Sequence, residues 1–168
     1  MALRILPSDD SIARQLGRLN LRIQDGLDAS DSDAASAAAV QYLRQAASHA
    51  PNRAFTWSLL AHSAAQAGGL DDTFLRYFRL SVLTGRFEAS SILLRSSIAL
   101  SHWDDLPDEV RAYARQDLRR LWADRHLLNE LIRFYLSRNY QEREIILQES
   151  FDSDVDRRFF KQVLLKKL

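Results

Sequence analysis

The stretch from residue 52 to residue 88 has the pattern of two helices joined by a tight turn. Its first half has apolar side chains every three or four residues, the spacing of one helix face: Trp57, Leu60, Ala61 and Ala64. Gly68 and Gly69 end this helix, because glycine readily adopts the left-handed conformation of helix ends. Asp71 and Asp72 then open a second helix, where the helix dipole stabilises carboxylates. Two such helices with a short turn pack as an antiparallel hairpin.

This spacing resembles the tetratricopeptide repeat, in which a large aromatic residue is followed by small residues that let two helices approach closely. The four apolar residues of the first helix match that motif. Thr73 and Gly85 depart from it, since alanine and proline are usual at those two positions. The hairpin is therefore interpreted as a degenerate repeat, and an unrelated helical bundle is the alternative.

Composition favours helix along the whole chain of 168 residues. Only 3 prolines and 5 glycines interrupt it, and no segment alternates apolar and polar residues as a strand does. A hydrophobic content of 46% is enough for a real core. We therefore predict an all-α fold in which antiparallel helical hairpins stack as a short tetratricopeptide-like α-solenoid, closed by a capping C-terminal helix.

The prediction assigns residues 1–168 to a single helical-repeat domain. Its parts are repeat 1 at about 9–51, whose first helix is predicted at 9–24, repeat 2 at 52–86, repeat 3 at 88–124 and C-terminal capping helices at 126–168. Within the last part, Ile145, Ile146 and Leu147 are assigned to a short segment after Asn139. The acidic segment at 25–33 is interpreted as a solvated loop, because it lacks the fixed ligand spacing of a cation site. The last helix, from about Val155 to Lys167, is amphipathic and basic, and a capping role is favoured over binding to an anionic membrane.

Charge and composition exclude several kinds of chemistry. The net charge of +1 argues against nucleic-acid binding, which requires a basic face. The absence of cysteine excludes disulfides and cysteine zinc sites, and the histidines lack the spacing of a helical metal site. There is no nucleophile elbow and no phosphate-binding loop. We therefore predict no catalytic residue, no metal site and no cofactor, in a protein that is not an enzyme.

Five residues are predicted to line a partner-binding groove: Trp57, Arg76, Tyr77, Arg79 and Arg95. Helical repeats take peptide ligands in such grooves, and guanidinium groups bind carboxylates in a bidentate way. The alternative is that the aromatic residues belong to the core. Arginine makes up 20 of the 23 basic residues, so an arginine at one position is weak evidence for a site.

Residues 80–106 carry a more specific pattern, L-S-x-L-T-G-x-x-E followed by a helix and W-x-x-L. The matching residues are Leu80, Ser81, Leu83, Thr84, Gly85, Glu88, Trp103 and Leu106. This pattern resembles small bacterial tetratricopeptide-like proteins encoded with exopolysaccharide biosynthesis genes, and the resemblance covers about 54–124. The chain departs from the family at Arg86 and Ala89, where members often carry proline.

The resemblance implies a non-enzymatic accessory scaffold of polysaccharide synthesis or export, whose partner is another protein of that machinery and not a nucleic acid. It implies a soluble domain at the bacterial cell envelope, on either the periplasmic or the cytoplasmic side. Many members begin with a membrane anchor that is absent from this sequence, so membrane contact is expected through a partner or a missing anchor. A generic peptide-binding adaptor or secretion chaperone is the first alternative, and a small helical enzyme or a glycan binder is the second.

Overall fold

The computed structural model describes residues 29–166, which are helical almost throughout. Within this range there are eight α-helices, one 3-10 helix at Trp103–Asp105 and no strand, which confirms the all-α prediction. The α-helices are α1 (Ala29–His49), α2 (Ala54–Gly68), α3 (Asp72–Thr84), α4 (Ala89–Ser101), α5 (Asp108–Ala123), α6 (Leu128–Leu136), α7 (Tyr140–Glu149) and α8 (Asp154–Leu165). The helix predicted at 9–24 lies outside the described residues.

Contacts between residues divide the chain into two compact units, Met1–Gly85 and Arg86–Leu168. The boundary falls at the end of the predicted second repeat. The assignment of the whole chain to one repeat domain, and the stacking of its hairpins as a solenoid, stay predictions. None of the helices in the described range is long and apolar enough to cross a membrane.

In the first unit, α2 packs against both α1 and α3. The turn between α2 and α3 follows the prediction: Gly69 has a φ of 78° and its N–H donates to the Ala65 carbonyl at 3.2 Å. The Asp71 side chain caps α3 by accepting a hydrogen bond from the Phe74 N–H at 2.9 Å. Helix α1 begins at Ala29, so residues 29–33 are helical where a loop was predicted.

Replacing Asp71 with alanine should lower the free energy of unfolding by about 1 kcal/mol, because the Phe74 N–H at the start of α3 loses its acceptor. The matched control is Asp72→Ala, which removes an acidic residue from the same first turn without removing the cap. Urea unfolding followed by circular dichroism measures both. Equal losses in the two variants would show that charge near the helix end matters and the cap itself does not.

In the second unit, α4 packs against α5, and α7 contacts α4, α5 and α6. Helix α8 adds Phe160 and Leu164 to the same core. The buried apolar side chains of this core are Ile92, Leu100, Leu118, Leu121, Leu131, Ile132, Phe134, Ile145, Ile146, Leu147, Phe151, Phe160 and Leu164. Helix α7 is a full helix where only a short segment was predicted. It begins at a capping box, in which Asn139 accepts from the Glu142 N–H at 2.9 Å and the Glu142 side chain accepts from the Asn139 N–H.

Several arginines of the second unit bind backbone carbonyls near helix ends. Arg143 donates to the Tyr135 and Leu136 carbonyls at 3.1 and 2.6 Å, at the end of α6. Arg157 donates to the Leu147 carbonyl of α7 at 2.9 Å. Such carbonyls have no partner inside their own helix, and arginine side chains can satisfy them. Part of the large arginine content of this chain therefore has a structural explanation.

Candidate functional site

The candidate site is a groove in the first unit, between α1 and α3, with α2 contacting both helices. A cavity of about 400 Å³ is lined by Arg44, Ala47, Ser48, Pro51, Trp57, Leu60, Arg76, Tyr77 and Leu80. A second cavity of about 250 Å³ is lined by Val40, Arg44, Leu60, Ser63, Ala64, Ala67, Gly68, Asp71, Thr73 and Tyr77. Arg44, Leu60 and Tyr77 line both cavities, so the two are parts of one groove, called here the α1–α3 groove.

Two aromatic rings are fixed in place at the larger cavity. Trp57 and Tyr77 are stacked, with ring centroids 5.9 Å apart and an interplanar angle of 27°. The Trp57 Nε1–H donates to the Pro51 carbonyl at 2.7 Å, and the Tyr77 hydroxyl accepts from Arg44 Nε at 3.3 Å. The Arg76 guanidinium lies over the Tyr77 ring, 5.3 Å from its centroid. Aromatic side chains held by such contacts need little reordering when a partner binds.

The charges at this end of the groove are not balanced. Arg44 and Arg76 are both exposed. Among the residues that the structure describes, neither guanidinium is paired with a carboxylate. Two cations beside an aromatic pair make this the basic end of the α1–α3 groove, and they attract an anionic group.

The smaller cavity forms the other end of the groove and has different chemistry. Asp71 contributes a carboxylate, of which Oδ1 accepts from the Phe74 N–H. Three small residues, Ala64, Ala67 and Gly68, line the same cavity, and small side chains let another chain approach closely. The Ser63 hydroxyl is buried there and has no hydrogen-bond partner within the described part of the chain. Arg44 lines this cavity as well, so the two ends of the groove differ in Arg76, which lines only the larger cavity, and Asp71, which lines only the smaller one.

Three of the five predicted groove residues, Trp57, Arg76 and Tyr77, lie together in the larger cavity. Arg79 is exposed on the same helix as Arg76, but it is not among the residues that line either cavity. Sequence reasoning missed Arg44. Its link to Tyr77 spans 33 positions of the chain, and no local pattern reveals it.

The prediction that Arg95 contacts a partner is corrected. Arg95 belongs to the second unit and is fully buried, with 0% of its side chain exposed. Its Nε and Nη2 groups donate to Asp117 Oδ2 and Oδ1 at 2.7 and 3.1 Å, a bidentate pair. Arg95 lies on the buried side of helix α4, together with Ser91, Ile92, Ser96, Ile98, Ala99 and Leu100. Arg95 therefore has a structural role.

Burial raises the pKa of Asp117 above its ordinary value of 3.8, because desolvation disfavours the charged form. Arg95 opposes this rise in the pKa most strongly, through its hydrogen bonds and its positive charge. Arg120 opposes it less, through its positive charge and its hydrogen bond. Arg120 Nη1 also donates to Asp117 Oδ1 at 3.2 Å and to the Arg86 carbonyl at 3.1 Å. These contacts form a charged cluster of the second unit in which Arg95 and Asp117 are fully buried and Arg120 is partly exposed.

The described residues contain no group of three or more His, Cys, Asp or Glu side chains close enough to hold a metal ion. Comparisons of this chain with protein-family models, with curated proteins and with solved structures gave no significant match. The two features of the chain that bear on function are the α1–α3 groove and the sequence pattern at 80–106.

Proposed function

We propose that this protein is a non-enzymatic interaction scaffold that binds a segment of another protein in the α1–α3 groove. The observation that carries the proposal is the pair of exposed arginines, Arg44 and Arg76, which lack carboxylate partners among the described residues and flank an apolar cavity. Arginine, tyrosine and tryptophan are the residue types enriched at protein interfaces and their energetic centres. All three types line this cavity.

Burial of Tyr77 favours a protein ligand over a glycan. A sugar ring stacks on a freely exposed aromatic face, but Tyr77 is only 7% exposed. One side of its ring faces Trp57, and the Arg76 guanidinium lies over the ring as well. The apolar lining residues Ala47, Leu60 and Leu80 suit an aliphatic or aromatic side chain of a peptide instead.

The resemblance at 80–106 supplies the proposed setting. It supports an accessory role in bacterial exopolysaccharide synthesis or export, with a partner from that machinery at the cell envelope. The same groove also suits a generic peptide-binding adaptor or secretion chaperone. The identity of the bound partner separates these two candidates, because an accessory scaffold captures proteins of one machinery and a chaperone captures unrelated clients.

Affinity capture from an extract of the source cells tests this function. We expect the wild-type protein to enrich a protein of polysaccharide synthesis or export, and the double variant Arg44→Glu/Arg76→Glu to lose it by at least about tenfold, since hydrogen bonds to charged groups contribute about 1.5–3 kcal/mol each. Mass spectrometry quantifies the captured proteins, and circular dichroism checks that the variants are folded.

The matched control is Arg79→Glu, which reverses an exposed charge on the same helix outside both cavities. It should capture the partner as the wild type does. If the double variant captures the partner as well as the wild type does, the partner does not bind in the α1–α3 groove. Capture of unrelated secreted proteins by the wild type would favour the chaperone function. Failure of the wild type to enrich any protein would contradict the scaffold function itself.

A further inference from the structure

We infer that the α1–α3 groove takes an acidic peptide segment in one direction, with carboxylates at the basic end and an apolar side chain in the larger cavity. This inference rests on the proposed function and names the chemistry of its ligand. The charges that carry it are spread along the groove: Arg76 lines only the larger cavity, Asp71 lines only the smaller one, and Arg44 lines both.

The two arginines are positioned for different contacts with a carboxylate. Arg44 already uses Nε to donate to the Tyr77 hydroxyl, so its two Nη groups are the donors that remain for a ligand. The guanidinium of Arg76 lies over the Tyr77 ring, and contact with the ring face leaves the N–H groups at its edge to donate. A carboxylate bound between them is neutralised by two cations that form no ion pair with the described residues.

The lining of the larger cavity accounts for the apolar part of the ligand. Its volume of about 400 Å³ accommodates an aliphatic or aromatic side chain together with part of the peptide backbone. Leu60 is buried and lines both cavities, so it lies where a bound segment passes from one to the other. The segment therefore carries an apolar residue next to its acidic residues.

Asp71 sets the direction of the segment. Its carboxylate repels acidic residues of a ligand at the smaller cavity. The small side chains that line this cavity leave room for neutral or basic residues of the ligand. The acidic residues of the ligand consequently cluster at one end. A segment with carboxylates at both ends meets attraction at the basic end and repulsion at Asp71, and it binds more weakly.

Fluorescence polarisation with labelled synthetic peptides tests this inference on the full chain. The probes are four short peptides that share a central leucine. Two of them carry glutamates at a single end, one at the N-terminal and one at the C-terminal end. The third carries glutamates at both ends, and in the fourth every glutamate is replaced by glutamine. We expect one of the two peptides with glutamates at a single end to bind at least about tenfold more tightly than the glutamine peptide. Added salt should weaken this binding, because exposed charge pairs are screened.

Charge variants locate the contact. Arg44→Glu/Arg76→Glu should weaken the preferred peptide at least about tenfold, whereas Arg79→Glu should leave its affinity nearly unchanged. Asp71→Asn removes the carboxylate but retains an asparagine suited to capping α3, so the fold is preserved. This variant should tighten binding of the peptide with glutamates at both ends and reduce the preference for direction.

Equal affinity for the glutamate and glutamine peptides, or no binding of any acidic peptide, would overturn the inference. If the wild type nevertheless captures a partner from cells and Arg44→Glu/Arg76→Glu loses it, the scaffold function stands and only the inference that the ligand is acidic is wrong. Acidic binding that Asp71→Asn leaves unchanged would contradict the direction of the segment. Binding that persists in the double arginine variant would place the acidic ligand elsewhere on the protein.

Discussion

Replacing Asp117 with leucine is expected to lower the free energy of unfolding of the unit Arg86–Leu168 by about 3–5 kcal/mol. The substitution leaves the fully buried Arg95 guanidinium without its bidentate partner. Arginine stays charged at every accessible pH, so it cannot relieve the loss by giving up a proton. Arg95→Met should lower the free energy of unfolding by less. Asp117 keeps its contact with Arg120, and because burial raises the pKa of Asp117, this carboxyl can take up a proton more easily than an exposed one.

The double variant Arg95→Met/Asp117→Leu is the matched control. It replaces both charges with apolar groups of similar shape, and such exchanges of buried ion pairs are often neutral or stabilising. Urea unfolding followed by tryptophan fluorescence measures all three variants in a Trp57→Phe background, where Trp103 and Trp122 both report on this unit. A loss below about 1 kcal/mol for Asp117→Leu, the magnitude of an exposed pair, would contradict the buried pair described above.

Replacing Phe160 with alanine should lower the free energy of unfolding by about 3–5 kcal/mol as well. Its side chain is 0% exposed, and its ring meets the Trp122 ring edge-on at 6.0 Å. It also contacts Tyr135 at 5.5 Å and Phe151 at 5.1 Å between ring centroids. Removing the ring leaves a cavity among three aromatic neighbours, which cannot all move in to fill it.

Phe159→Ala is the control for the Phe160 experiment, since it removes the same chemical group one position earlier in α8. Phe159 is 54% exposed, so its loss should cost less than about 1 kcal/mol. Thermal unfolding followed by near-ultraviolet circular dichroism monitors the aromatic cluster directly. Similar losses from the two alanine variants would mean that α8 does not contribute to the core through Phe160.

The turn between α2 and α3 was predictable because its signals are local. Gly69 and Asp71 fix the turn between α2 and α3 through contacts within four residues. The same kind of signal lies at the start of α7, where Asn139 and Glu142 have capping-box spacing. This spacing indicates a helix start at the position where only a short segment was predicted.

The candidate site was predictable only in part. Trp57, Arg76 and Tyr77 were named from sequence and lie together, since one helical hairpin brings them into proximity. Arg44 comes from another helix, and its contact with Tyr77 depends on how α1 packs. The prediction for Arg95 was wrong because Asp117, from another helix, supplies a buried partner for its charge.

By itself, the sequence determined that the described chain is helical and determined the ends of many of its helices, including the turn at Gly69 and Asp71. Capping, backbone preference and apolar periodicity act over a few residues, so they can be read along the chain. Only the tertiary structure decided that Arg95 is buried against Asp117 and that Arg44 and Arg76 flank an open cavity. The reason is that desolvation and charge pairing depend on helices brought together from distant positions, and arginine as a residue type is compatible with either outcome.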